Sequence, residues 1–267
     1  NDAKLILNVE KSHFAQTSIN ILGFTLSSVG LTLDERKVAA VSEWPLPKTG
    51  KDIQRFLGLA NSFRTHIPKF SDLTSVLDQL RNEASLQSIW NASHTKAFLN
   101  IKAALCNAPA LNAPDLSHPF SLATDASNTG IGGVLYQEIH GEIRYIGFAA
   151  RALSKSERNY STTKRELLAI VYLFTKFHKW LFGSKFTLYT DHKALVYLHT
   201  QEIPNPMMIN WFETIFDYDF DVVHCRGIDN VISDALSRLF TDDQENKLVG
   251  DSSTITYQQS RKFVAKS

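Results

Sequence analysis

Two short apolar runs of the same form, Phe120-Ser-Leu-Ala-Thr-Asp125 and Phe186-Thr-Leu-Tyr-Thr-Asp191, each close on an aspartate. Their β-branched and aromatic residues predict strands. Between them Leu167, Ile170, Val171, Phe174, Phe177, Trp180 and Leu181 recur at three- and four-residue spacing, which predicts a long helix opening near Glu166. Glu166 falls in line with Ile170, Leu173, Phe177 and Trp180, so its carboxylate points toward the core unless something cationic meets it. A fourth acid, Asp234, lies in Asp229-Asn-Val-Ile-Ser-Asp-Ala-Leu-Ser-Arg238, read as a loop feeding a short helix capped by Asp229 or Asn230. Acids on two strand ends and two helices can converge on one point.

Clustered carboxylates repel one another, so they share protons or hold a hard cation. No cluster of Cys and His competes as a zinc site. Oxygen-only ligation favours magnesium or manganese, and two such ions about 3.5–4 Å apart suit in-line attack of water on a phosphodiester.

Composition adds little on partners, because 28 basic residues nearly cancel 27 acidic ones, for a formal net charge of +1. Local balance says more: from Gly141 to Lys185 nine Lys or Arg face three Glu. That surplus can track a phosphate backbone, or it can be an ordinary solvated helix face. Cys106 and Cys225 have neither metal nor disulfide spacing, which points to a reducing compartment. Signal-peptide and membrane-span patterns are not found. Asn91-Ala-Ser93 and Asn159-Tyr-Ser161 therefore match the glycosylation acceptor pattern by chance.

Four blocks in order carry a family resemblance: Thr124-Asp-Ala-Ser-Asn-Thr-Gly-Ile-Gly-Gly-Val-Leu-Tyr-Gln137, Asn159-Tyr-Ser-Thr-Thr-Lys-Arg-Glu-Leu-Leu-Ala-Ile-Val171, Thr190-Asp-His-Lys-Ala-Leu195 and Ser233-Asp-Ala-Leu-Ser-Arg238. They resemble the ribonuclease H domain of gypsy-type retrotransposon reverse transcriptases. The resemblance implies an α/β, mixed α+β architecture: a ribonuclease H-like five-stranded mixed sheet with flanking helices, cutting RNA paired to DNA. It implies that Asp125, Glu166, Asp191 and Asp234 bind two Mg²⁺ ions, with Mn²⁺ as a substitute. Singly, each acid reads as a cap, a turn residue or a charge at the positive end of a helix dipole; four in this order outweigh that. Ser127, Asn128, Gly130, Arg165 and His192 are the expected substrate-side residues. Gly130, Gly132 and Gly133 are read mainly as a hairpin turn tolerating positive φ, and also as room for a nucleic-acid backbone. Strands are expected over Ile131–Gln137 and Ile143–Ala149. The loop Gly227-Ile-Asp-Asn230 lacks the mobile histidine of many ribonucleases H, and His224 is expected within the preceding strand.

Upstream, Leu5–Val9 and Ile19–Leu26 predict two strands and a turn at Ser28-Val-Gly30, resembling the end of the polymerase palm. The family's polymerase aspartates are not found, so DNA synthesis is not expected of this chain. Asp34–Trp44 predicts a helix stopped by Pro45 and Pro47, Thr49 caps a second with Ile53, Phe56, Leu57 and Ala60 as its stripe, and a third runs from about Ser71 to Leu80. Trp44-Pro-Leu-Pro47, Phe56-Leu-Gly-Leu59 and Phe63-Arg-Thr-His-Ile67 resemble the family's thumb, with Lys48, Lys51, Arg55 and Arg64 expected at phosphates. A further helix is capped at Ser93. The expected organisation is palm end 1–33, thumb 34–80, connector 81–118, nuclease 119–240 and a polar tail 241–267. The implied partners are an RNA–DNA hybrid, the polymerase fingers and palm upstream and an integrase downstream. No membrane partner is implied, and the implied setting is a cytoplasmic virus-like particle with nuclear access. The alternative is a catalytically silent ribonuclease H-fold module that only holds nucleic acid or a partner subunit.

Overall fold

The computed structural model describes residues 12–190, 206–224 and 256–257. The expected strand over Leu5–Val9, together with Asp191, His192, Asp229 and Asp234, lies outside them. No helix among the described residues is long and apolar enough to cross a membrane.

The first layer opens with a three-stranded antiparallel sheet, β1 (Ser18–Ile21), β2 (Phe24–Ser27) and β3 (Gly30–Leu33). The strand expected over Ile19–Leu26 is thus two strands. Leu22 and Gly23 turn the chain with φ of 52° and 88°, the paired positive values of a tight hairpin. Leucine is a poor signal for that turn, which is why the apolar run read as continuous.

Helices follow: α1 (Glu35–Ser42), α2 (Gly50–Ser62), α3 (Phe70–Asp78) and α4 (Ala92–Cys106). Asp34 caps α1 by accepting from the Arg36 N–H. Thr49 caps α2 in a reciprocal box: its hydroxyl accepts from the Asp52 N–H at 3.3 Å, and Asp52 Oδ2 accepts from the Thr49 N–H at 3.0 Å. The cap of α4 is Asn91, not Ser93; its side-chain oxygen accepts from the Ser93 and His94 amides. Ile53, Phe56, Leu57 and Ala60 bury the predicted face of α2, with Phe98 of α4 against Phe56 at 4.5 Å between ring centroids. The four helices share one apolar core.

The second layer is a mixed sheet in the order β6-β5-β4-β7-β8-β9, made from β4 (Phe120–Ala126), β5 (Gly130–Ile139), β6 (Glu142–Ala152), β7 (Lys185–Thr190), β8 (Asp219–His224) and the two-residue β9 (Thr256–Tyr257). The five-stranded body is the expected one, and β9 adds a short antiparallel edge from the polar tail. α5 (Thr162–Lys176) packs on β4 and β5. The apolar period running through Leu181 is divided: α5 ends at Lys176, capped by Phe177, and a single turn, α6 (His178–Leu181), follows. α7 (Pro206–Phe216) was not foreseen from the sequence. Phe174 centres this core, with Phe186, Tyr218 and Phe220 rings 5.3, 4.7 and 5.2 Å away.

Backbone bonds tie the layers together. Leu31 and Leu111 exchange both amide hydrogen bonds, and the Asn112 N–H donates to the Tyr145 carbonyl at 2.7 Å. Gly30 is required here, with φ of 123° and a Cβ that would come 2.5 Å from the Leu111 carbonyl oxygen.

Candidate active site

The two runs of the same form lie side by side. β4 and β7 pair in parallel with Phe120 opposite Phe186, Ser121 opposite Thr187, Leu122 opposite Leu188 and Ala123 opposite Tyr189, the register that their sequences share. Asp125 and Thr190, the last described residue of β7, therefore lie at the same end of the sheet. β4 pairs antiparallel with β5 on its other side, and Asp125 and Thr190 stand at the carboxyl ends of the parallel pair, the side where open α/β sheets bind ligands.

Glu166 reaches the same layer from the second turn of α5, whose start is fixed by Ser161 accepting from the Lys164 N–H at 3.3 Å. Its side chain is turned inward, 3% exposed, as the apolar period predicted. Beside it the Arg165 guanidinium crosses to the β4–β5 turn, donating to the Ser127 carbonyl at 3.2 Å and to Asn128 Oδ1 at 2.6 Å. Ser127 Oγ accepts from the Thr129 and Gly130 amides at 3.1 and 2.8 Å. Ser127, Asn128, Gly130 and Arg165 are thus brought together, and their first duty is to hold one another. Two buried polar atoms here have no hydrogen-bond partner among the described residues: Thr124 Oγ1 and Arg165 Nε. Buried polar groups are almost always satisfied, so two orphaned atoms, one on β4 and one on α5, mark a place built for something else.

Gly132 and Gly133 sit inside β5, and none of the three glycines has positive φ. Their reason is space, which corrects the turn reading. A Cβ at Gly132 would lie 2.8 Å from the Ala149 carbonyl oxygen, and one at Gly133 2.2 Å from that of Ala123. At Gly130 it would meet Asp72 Oδ1 and Ser71 Oγ of α3, both at 2.7 Å.

The expected phosphate contacts are dispersed. Lys48, Lys51 and Arg55 are exposed at or near the start of α2, with Arg55 Nη1 3.7 Å from Asp52. Arg64 donates across the layers to the Ala150 carbonyl. The basic residue that does reach Asp125 was missed by sequence reasoning: Lys69 Nζ lies 2.7 Å from Asp125 Oδ2. No local pattern distinguishes Lys69 from the other bases of its segment.

Asp125 and Glu166 supply hard oxygen donors, which suits magnesium or manganese. The other two expected ligands lie outside the described residues, and no group of three or more His, Cys, Asp or Glu forms among the described ones. Away from this end, the Arg151 guanidinium meets Glu157 with two contacts of 2.8 and 2.9 Å and holds its carboxyl down to about 2.

Comparison with known proteins bears on this arrangement. Residues 90–188, a span including Asp125 and Glu166, match the family described as the RNase H-like domain found in reverse transcriptase. The chain is 34% identical over 248 residues to the Retrovirus-related Pol polyprotein from transposon opus of Drosophila melanogaster, covering 89% of this chain and 25% of that protein. It is 33% identical over 244 residues to the Transposon Tf2-3 polyprotein of Schizosaccharomyces pombe, covering 89% and 18%. The chain thus spans a quarter or less of these curated relatives. Among solved structures, the foamy viral protease-reverse transcriptase in complex with RNA/DNA hybrid aligns with a TM-score of 0.66 at 19% identity, covering 91% of this chain and 33% of that one. The same viral protein in complex with dsDNA aligns at 0.65 with 21% identity, over 78% and 44%. These likenesses establish the fold.

Proposed function

We propose, for a chain that holds the ribonuclease H-like domain of a reverse transcriptase and is homologous to the Pol polyproteins of gypsy-type retrotransposons, that it hydrolyses the RNA strand of RNA–DNA hybrids. The observation carrying this reading is the in-register parallel pairing of β4 and β7, which sets Asp125 at the sheet end toward which the second acid-closing run also points, on a strand against which the helix supplying Glu166 packs. Asp125 and Glu166 would hold divalent cations, with Asp191 and Asp234 completing the set. Bound magnesium or manganese would supply charge stabilisation and a water of lowered pKa. Water adds to phosphorus, the P–O3′ bond breaks, and the departing 3′ oxygen takes a proton, leaving a 3′-hydroxyl and a 5′-phosphate.

The chain's own residues do the rest. Arg165 anchors the Ser127–Asn128 turn to α5, fixing the spacing between the Asp125 strand and the Glu166 helix. His192 and the turn's polar groups are assigned to the substrate side, where 2′-hydroxyls distinguish RNA from DNA. In this reading residues 1–33 end a palm, 34–80 form the thumb, with Lys51 and Arg55 on hybrid phosphates, 81–118 connect, 119–240 are the nuclease and 241–267 a linker.

A silent hybrid-holding module is the second reading, favoured by one observation: a lysine already engages Asp125. Cleavage of a labelled hybrid with magnesium, beside Asp125→Asn, separates the two. A live site loses on the order of a hundredfold or more, since even outer-shell changes at metal sites reach about that. A parent that binds the hybrid and leaves it intact fits the silent module.

A further inference from the structure

Three contacts seat the first turn of α3 on the Asp125 end of the sheet. Lys69 Nζ is 2.7 Å from Asp125 Oδ2. Asp72 Oδ1 accepts from Ser127 Oγ at 3.2 Å and from Thr129 Oγ1 at 2.9 Å. Gly130 lets the turn come so close that a single methyl group would collide with Ser71 and Asp72. Lys69 makes its contact from a left-handed backbone, φ 49° and ψ 32°, and offers α3 no side-chain cap. Non-glycine residues pay for that conformation, and where it persists the strain tends to sit at functional or switching elements. The pair is also not a buried structural bridge: its side chains are 30% and 29% exposed, so water and ions reach it.

We propose that Lys69 is an internal counter-ion standing where a divalent cation would meet Asp125, so that metal binding and the docking of α3 compete. The inference rests on reading Asp125 as a metal ligand. A carboxylate oxygen engaged by an ammonium 2.7 Å away cannot give the same lone pair to a metal, and two cations held side by side repel. Docking and metal binding then weaken one another by the same factor, as linkage requires. The docked turn also closes the approach to Asp125. The cleft between them is lined by Pro68, Lys69, Asp72, Gly132 and Phe148, so a nucleic-acid strand comes to the carboxylate only after α3 moves off. The fold thereby keeps the site shut until metal arrives, and Lys69 is the latch.

The test is Mn²⁺ binding to the full chain by calorimetry, with hydrogen exchange of the α3 first turn read in parallel. Lys69→Asn and Lys69→Gly both tolerate the left-handed backbone, so the turn survives the loss of charge. Both should tighten Mn²⁺ binding about three- to tenfold, whereas Lys37→Asn, the same charge change on the exposed face of α1, should not. Saturating Mn²⁺ should speed exchange at the α3 first turn of the parent. Unchanged affinity in both Lys69 variants, or unchanged α3 exchange on saturation, overturns the latch. If Asp125→Asn abolishes binding in that same series, the metal reading stands without it. If Asp125→Asn binds Mn²⁺ as the parent does, both readings fall.

Discussion

The helical layer and the Asp125 end of the sheet bury polar groups in opposite ways. In the helical layer they are answered locally: Asp34 by Arg36, with two contacts of 2.8 and 3.2 Å, His66 by donating from Nε2 to the Leu31 carbonyl at 3.2 Å, and Thr74 by donating to the Ser71 carbonyl at 3.4 Å. At the end of the sheet, among the described residues, Thr124 and Arg165 keep unsatisfied atoms, a glutamate is turned inward, and Asp125 is met by a lysine from the other layer. A region that satisfies its own buried polar groups is built for stability. One that leaves them open carries a cost that an outside ligand can offset.

The largest effect expected from breaking this comparison is in the helical layer. Phe56→Ala removes a fully buried ring packed against Trp44 and Phe98 and should cost about 3–5 kcal/mol in denaturant unfolding. A loss below about 1 kcal/mol would mean that α2 does not anchor that core.

His66 gives a pH signature. Burial pushes its imidazole below the ordinary 6.5, so the folded state stays neutral while the unfolded state takes up a proton. Its stability contribution is complete above the unfolded value and declines as pH falls from about 6.5, by at most about 1.4 kcal/mol per pH unit. His66→Phe should flatten that slope in urea melts between pH 7 and 5; an unchanged slope would locate the proton uptake elsewhere.

The contrast between layers is sharpened by a matched pair. Thr124→Val deletes a hydroxyl that has no partner among the described residues and should stabilise by about 1 kcal/mol, whereas Thr74→Val deletes a bonded one and should destabilise by about 0.5–1 kcal/mol. Thermal midpoints moving in the same direction would end the distinction.

Glu157→Gln is the smallest. The Arg151 pair depresses the Glu157 carboxyl, so its contribution is present above the ordinary carboxylate value of 4.5 and lost as pH falls toward about 2. We expect about 0.5–1 kcal/mol at pH 7, with the difference from parent vanishing near the acid end of that window.

Local pattern made much of this legible. Thr49 followed three residues later by Asp52 is a capping box, the α5 period foretold an inward Glu166, and two runs of one form proved to be neighbouring strands. The Leu22–Gly23 turn escaped because leucine rarely accepts positive φ; α7 escaped although Pro206 at its first position is a start signal. Gly130, Gly132 and Gly133 were visible as a cluster, yet sequence cannot separate a glycine needed for backbone freedom from one needed for room.

By itself, then, the sequence determined the elements, their apolar faces and the acids that close them, because helix and strand periods are written in neighbouring residues. Only the tertiary structure decided that β4 and β7 lie in register, that Arg165 spends its guanidinium on the Ser127–Asn128 turn, and that Lys69 rather than Lys51 or Arg55 meets Asp125. Those are contacts between distant segments, fixed by how two cores dock, and no local periodicity encodes the distance between two side chains on different layers.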